Sequence, residues 1–235
     1  MIFSRSNLKT FFDSVLTGES KTYDDHNWYT SSGLKSYIKG VNQNRNSALS
    51  KDLSDTTIAD VMKFQKNQRS SSFGQLWATG RYQIIPTTLK GLVDNHKINP
   101  NQKYSDAIQD ELGEKLLLGR SNIRKYLKKE VADTKENREK AALDMAKIWS
   151  SIGVPYDMQG SKKPIKKNQS YYSGGGDTAT VKTETVQSAL QKLRNSDNSA
   201  QESPKPNSNG KILDTVFITL FVIGSYIFYK KMTSI

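Results

Sequence analysis

The sequence predicts a mainly α-helical domain with a long irregular or small-β insertion, followed by one C-terminal transmembrane helix. Three observations carry this. Apolar residues recur at the 3, 4, 7, 8 spacing of a helix face in segment after segment. Residues 19–54 are polar and hold no sustained period. The C-terminal stretch KILDTVFITLFVIGSYIFYKKM contains an uncharged run from Thr215 to Tyr229.

Along the chain, residues 7–17 read as a helix with Leu8, Phe11, Phe12, Val15 and Leu16 on one face, Ser6 or Asn7 capping its start and Gly18 ending it. The polar stretch 19–54 suits a long active loop or a small hairpin region. SDTTIADVMKFQK opens the next helix, with Thr56 as cap and Ile58, Val61 and Met62 inward. In ATGRYQIIPTTLKGLV a loop precedes a helix whose first turn holds Pro86 and whose stripe is Leu89, Leu92 and Val93. SDAIQDELGEKLLLG is helical from Ser105, with Ile108, Leu112 and Leu116 aligned, and residues 121–130 continue as a short basic helix. NREKAALDMAKIWSSIG carries Ala142, Met145, Ile148, Trp149 and Ile152 on one stripe, which makes Trp149 core. TETVQSALQKLR closes the set with Val186, Leu190 and Leu193.

Residues 195–210 are rich in Ser, Asn and Pro and lack a large apolar residue, the composition of a flexible linker. The apolar run beyond it is short against a bilayer core of about 30 Å at about 1.5 Å per residue. Ile212 and Leu213 extend it, and Lys211, Lys230 and Lys231 can snorkel. The expected organisation is therefore a domain over 1–194, a linker over 195–210, a membrane anchor over 211–231 in contact with a lipid bilayer, and a short tail over 232–235.

Composition narrows the chemistry. Among the 235 residues there is no cysteine, which excludes disulfides and thiolate metal sites, and only His26 and His96 carry imidazoles. A zinc site of the H-E-x-x-H kind is absent from the sequence, and no metal or other cofactor is expected. The formal charge of +12 points to a polyanionic partner: nucleic acid, an anionic membrane face or a bacterial wall. No nucleic-acid motif is present, so specific nucleic-acid binding is not expected. The glycines at 174–176 are not followed by Lys and Ser or Thr, as a phosphate loop requires. MIFSRSNLKTFFDSVL lacks the apolar core and cleavage site of a secretory leader, so secretion by that route is not expected.

Glu19 stands out. If a helix ends at Gly18, Glu19 lies near the negative end of the helix dipole, which favours the protonated acid, as does partial burial in a cleft. A carboxylic acid kept protonated near neutral pH can protonate a glycosidic oxygen. From its position alone, Glu19 reads first as a solvated glutamate after a helix.

The ordered set LTGES, TIADVMKFQ, ATGRYQIIPTTL and QDELGEKLLLGR, with SYYSGGG followed by VKTETVQSALQKLR, resembles the lysozyme-like muralytic enzymes of bacteriophages over roughly residues 5–195. The resemblance implies an α+β lysozyme-like fold and bacterial peptidoglycan as substrate. It implies that Glu19 is the catalytic acid and that Gly80, Tyr82 and Gln83 line the sugar groove. YDDHN, with Asp24, Asp25 and Asn27, sits where such enzymes have a polar substrate-binding loop, although the usual glycine- and asparagine-rich loop is replaced here. Tyr172 either stacks on a sugar ring or packs the domain edge, as does Tyr171, and Trp28 and Trp77 read as packing residues with one exposed face.

Two mechanisms stay open. A lytic transglycosylase needs one acid/base group, Glu19, to cleave the bond between N-acetylmuramic acid and N-acetylglucosamine. A muramidase that hydrolyses the bond needs a second carboxylate, for which Asp24 and Asp25 are the nearest in sequence. A catalytically inactive structural protein of a virion is the reading from another class. The C-terminal anchor without a leader leads to a further expectation: a single-pass protein of the internal membrane of a phage, passing through the host inner membrane before assembly. There it would contact capsid or vertex proteins and open the wall locally at entry.

Overall fold

In the computed structural model the described residues are 3–18, 20, 22–40, 49, 51–172 and 179–196. Among them the chain forms seven α-helices and five short strands. Helix α1 (Arg5–Val15) starts on Ser4, whose hydroxyl accepts from the Asn7 amide at 3.2 Å. The cap thus falls two residues before Ser6 and three before Asn7, the two expected, because Ser4 is the residue held in extended backbone with its side chain turned back onto the Asn7 amide. Leu8, Phe11, Phe12 and Val15 are buried, as their spacing requires.

A three-stranded antiparallel sheet follows in the order β2-β1-β3, built from β1 (His26–Thr30), β2 (Gly33–Tyr37) and β3 (Gln75–Thr79). β1 and β2 pair from His26↔Tyr37 to Thr30↔Gly33, and the register to β3 shifts between His26 and Trp28. α2 (Ile58–Gln65) begins on Thr57, which accepts from the Asp60 amide at 3.1 Å, one residue after the expected cap. α3 (Pro86–His96) takes Pro86 in its first turn, where a missing N–H costs nothing. α4 (Asp106–Leu118), α5 (Ser121–Leu127), α6 (Lys135–Ala146) and α7 (Thr183–Ser196) complete the helices. A small hairpin of β4 (Met158–Gln159) and β5 (Pro164–Ile165) lies between α6 and α7. α6 ends at Ala146, so Trp149 and Ile152 are core residues outside the helix that their spacing suggested.

One apolar core joins these elements within residues 3–196. The fully buried ring of Phe12 meets Tyr82 edge-on at 4.6 Å and Trp149 at 5.9 Å, and the Trp149 indole donates to the Tyr82 carbonyl at 3.0 Å. This cluster fastens α1 to the segment after β3, which carries part of the candidate site.

Two expectations are corrected. The fold is an α+β mix rather than mainly α, because two sheets form where the sequence shows no clean two-residue alternation. No described helix is long and apolar enough to cross a membrane. The longest, α7, has 14 residues, or about 21 Å at ~1.5 Å per residue against a bilayer core of about 30 Å. It carries charges and buries only one face. The anchor expected over 211–231 lies outside the described residues, and no described helix supports the expected residence in a virion or host inner membrane.

Candidate active site

The site is built from two segments far apart in sequence, the loop after α1 and the turn after β3. α1 closes at Leu16, whose amide donates to the Phe12 carbonyl at 2.9 Å. Gly18 is explained by close approach: a Cβ there would lie 2.0 Å from Thr180 Oγ1 and 2.9 Å from Ser151 Cβ. Glu19 itself lies outside the described residues. Its neighbours Thr17 and Ser20 line one cleft of about 280 Å³ together with Phe12, Asp13, Leu16 and Arg81. Arg81 is largely buried and ion-paired with Asp13.

The chain then closes on the carboxylates of Asp24 and Asp25, which are only 5 % and 2 % exposed. Asp25 accepts from Thr22 Oγ1 at 2.6 Å, the Lys39 amide at 2.9 Å, Ser20 Oγ at 3.0 Å and the Thr22 amide at 3.2 Å. Asp24 accepts from Ser54 through its amide at 2.9 Å and its hydroxyl at 2.8 Å, and from Lys39 Nζ at 2.6 Å. Hydrogen bonds from Lys39 to Asp24 and Asp52 push the lysine's pKa up. Both aspartates therefore point inward and hold the loop's shape. His26 is also core: its Nδ1 lies 2.8 Å from the Asp24 carbonyl, and its ring packs against Trp28 and Tyr37.

The second segment is a tight turn. Thr79 and Ile84 exchange backbone hydrogen bonds at 3.0 and 3.2 Å, and the Gln83 amide donates to the Gly80 carbonyl at 3.1 Å. Gly80 sits at φ +71, and its amide donates to the Asp25 carbonyl at 2.8 Å. Gln83 adopts φ +46, a left-handed conformation that costs a non-glycine residue energy and is enriched at functional positions. Its Nε2 donates to the Gly80 carbonyl at 2.8 Å, and its Oε1 accepts from Asn27 Nδ2 at 3.0 Å. The structure thus brings Asn27, Gly80, Gln83 and the Asp25 backbone together.

One expected groove residue, Tyr82, lies in the core, and Tyr172 packs against its neighbour. Tyr82 is 1 % exposed, and its hydroxyl donates to Asp110 Oδ1 at 2.7 Å. Tyr172 packs edge-on against Tyr171 at 5.3 Å and donates to the Lys147 carbonyl at 2.8 Å. On the sheet, half-buried Asn27 and Tyr29 alternate with buried His26 and Trp28. Trp77 meets Tyr29 edge-on at 5.5 Å, and the Arg69 guanidinium stacks 3.9 Å over the Tyr29 ring.

The sequence reading missed Gln109 and Asp110, at the start of α4. Gln109 shares the inward stripe of Leu112, and a polar residue on such a stripe is the signal that could have found it. Gly113 was a second signal, since a Cβ there would lie 2.9 Å from the Tyr82 ring. Burial, and then the hydrogen bond to Asp110, push the pKa values of Tyr23 and Tyr82 upward, so both hydroxyls stay protonated donors.

Among the described residues no group of three or more His, Asp or Glu side chains is placed to hold a metal ion. Models of protein families, curated proteins and solved structures all fail to match the chain.

Proposed function

We propose that the protein is a peptidoglycan lytic transglycosylase that cleaves the β-1,4 bond between N-acetylmuramic acid and N-acetylglucosamine, with Glu19 as its single acid/base. The observation that carries this reading is the cleft. Thr17 and Ser20, on either side of Glu19 in the chain, line it together with Arg81 of the turn that presents Gln83. These two segments are among those that carry the resemblance to phage muralytic enzymes. Glu19 protonates the glycosidic oxygen as the C1–O bond breaks. The muramyl C6 hydroxyl adds to C1, and the Glu19 carboxylate takes the hydroxyl proton, which closes a 1,6-anhydro ring without consuming water. Asn27 and Gln83 offer amide groups to sugar hydroxyls and acetamides, while Tyr29 and Trp77 offer ring surface beside them.

The engagement of Asp24 and Asp25 in internal hydrogen bonds supports one carboxylate over two. Purified peptidoglycan incubated with the full chain should lose turbidity and yield anhydro-muropeptides by mass spectrometry. Glu19→Gln should abolish this without changing the circular dichroism spectrum. Reducing-end products would identify a hydrolase, and undiminished activity in Glu19→Gln would reject the assignment of the acid.

A further inference from the structure

We propose that Gln109 and Asp110 are positioning residues, a clamp near the start of α4 that sets residues 22–25, which follow Glu19 in the chain, against the turn carrying Gln83. The inference rests on the reading of Glu19 as the acid/base.

Gln109 is fully buried, and its amide is used on both sides. Nε2 donates to the Tyr23 carbonyl at 2.9 Å and to the Tyr104 carbonyl at 2.8 Å, and Oε1 accepts from the Arg81 amide at 3.0 Å. Asp110 repeats the pattern with side chains. Its Oδ1 accepts from Tyr23 OH at 2.8 Å and from Tyr82 OH at 2.7 Å, while Oδ2 accepts from Arg5 Nε at 2.9 Å. Each segment is therefore gripped twice, once at the backbone and once at a tyrosine hydroxyl, by two consecutive residues of one helix.

An amide and a carboxylate in this position cost desolvation that an apolar pair would not. What they add is direction. Two hydroxyls that converge on one carboxylate oxygen at hydrogen-bonding distance define the separation of their segments to a few tenths of an ångström. A displacement of about 1 Å in a catalytic arrangement costs on the order of a hundredfold in rate, so tolerance of this size is what an acid poised over a glycosidic bond requires. α4 suits the task because Leu112 and Leu117 of the same helix are buried in the core.

The test pairs amide hydrogen exchange of the full chain with turnover of purified peptidoglycan. Tyr23→Phe removes one hydroxyl and keeps the ring. The amides of Arg81 and Gln83 lie in the turn on the other side of the clamp from that change and should exchange faster, together with that of Asp24, while α6 and α7 are unaffected. A response confined to residues 22–25 overturns the clamp. In turnover, Tyr23→Phe should lower kcat about tenfold with KM within about twofold. A loss carried by KM instead overturns the positioning role. Asp110→Asn can keep an oxygen toward both tyrosines and should restore most of the rate lost in Asp110→Leu; equal losses in the two variants count against the proposal. If the wild-type chain cleaves no peptidoglycan, the reading of Glu19 falls and takes the catalytic purpose with it, whereas coupled exchange would still establish the clamp.

Discussion

Replacing Asp25 with asparagine changes one atom and should cost more than the same change at Asp24. Among the described residues the Asp25 carboxylate faces four donors, two on each oxygen. Oδ1 accepts from the Thr22 hydroxyl and the Lys39 amide, and Oδ2 from the Ser20 hydroxyl and the Thr22 amide. An asparagine must put its NH2 on one side or the other. A hydroxyl can rotate and accept, but a backbone N–H cannot, so either orientation strands one backbone amide against another donor. A stranded group of this kind costs ~1–3 kcal/mol, and loss of the charged acceptor weakens the remaining bonds. We expect a loss of about 2–3 kcal/mol, or roughly 4–12 °C in Tm for a domain of this size. At Asp24 the amide oxygen can stay on Ser54 and turn the NH2 toward Lys39. That lysine side chain is 45 % exposed and keeps Asp52 at 2.9 Å, so Asp24→Asn should cost about 1 kcal/mol or less. Thermal unfolding followed by circular dichroism at pH 7 measures both. An Asp24→Asn variant as unstable as Asp25→Asn would refute this account of the loop. An Asp25→Asn variant that loses all wall cleavage at full stability would restore the two-carboxylate mechanism.

Three further outcomes follow from the same geometry. Gly80→Ala places a Cβ 2.0 Å from Gln109 Oε1 at a positive φ. The end of a glutamine would ordinarily swing aside cheaply, but here it would abandon bonds to Arg81, Tyr23 and Tyr104, so unfolding should detect a loss of about 2–4 kcal/mol. Trp149→Phe removes the indole bond to the Tyr82 carbonyl and leaves a gap beside Phe12, and denaturant unfolding should show a loss of ~1–3 kcal/mol. Burial raises the pKa of Asp133, but hydrogen bonds from Tyr126, Gln191 and Arg138 outweigh it and hold it down to about 2. A depressed carboxyl contributes stability above its unfolded pKa of about 4, and that contribution is lost as the pH falls toward 2. Acid titration of Asp133→Asn should therefore give a shallower fall in stability between those values than wild type, and parallel curves would show that the three bonds do not act in solution.

The helices are legible in the sequence because each buries one face, and stripes such as Leu89, Leu92 and Val93 announce themselves. The strands are not, for a physical reason. In β1 the inward positions are His26 and Trp28, and in β3 the outward positions are Gln75 and Trp77. Polar residues inside and aromatics outside erase the alternation by which a strand is read. The end of α6 is hidden too, because neither glycine nor proline marks it and Trp149 keeps the apolar spacing after the helix has stopped. Within the site, Gln83 and Tyr82 are neighbours that diverge. The positive φ of Gly80 and Gln83 turns the glutamine toward Asn27 and leaves the tyrosine in the core. Only the backbone path separates a groove residue from a packing residue there, and composition carries no trace of that path.

The placement of the carboxylates also bears on the kind of chemistry proposed. Hydrolysis by inversion or retention asks a second carboxylate to activate water or to attack the sugar, and that group must be an open base. Asp13, the acidic residue among the described residues lining the cleft, is paired with Arg81. Asp24 and Asp25 have their oxygens turned to internal donors, and freeing Asp25 would dismantle the loop that holds Ser20 and Thr22. A reaction in which the substrate supplies its own nucleophile, the muramyl C6 hydroxyl, makes no such demand. It needs one acid that becomes one base, held at a constant distance from the sugar through both steps. On this reading, what Gln109, Asp110 and the two buried aspartates contribute is that constancy of distance, and Glu19 alone handles protons.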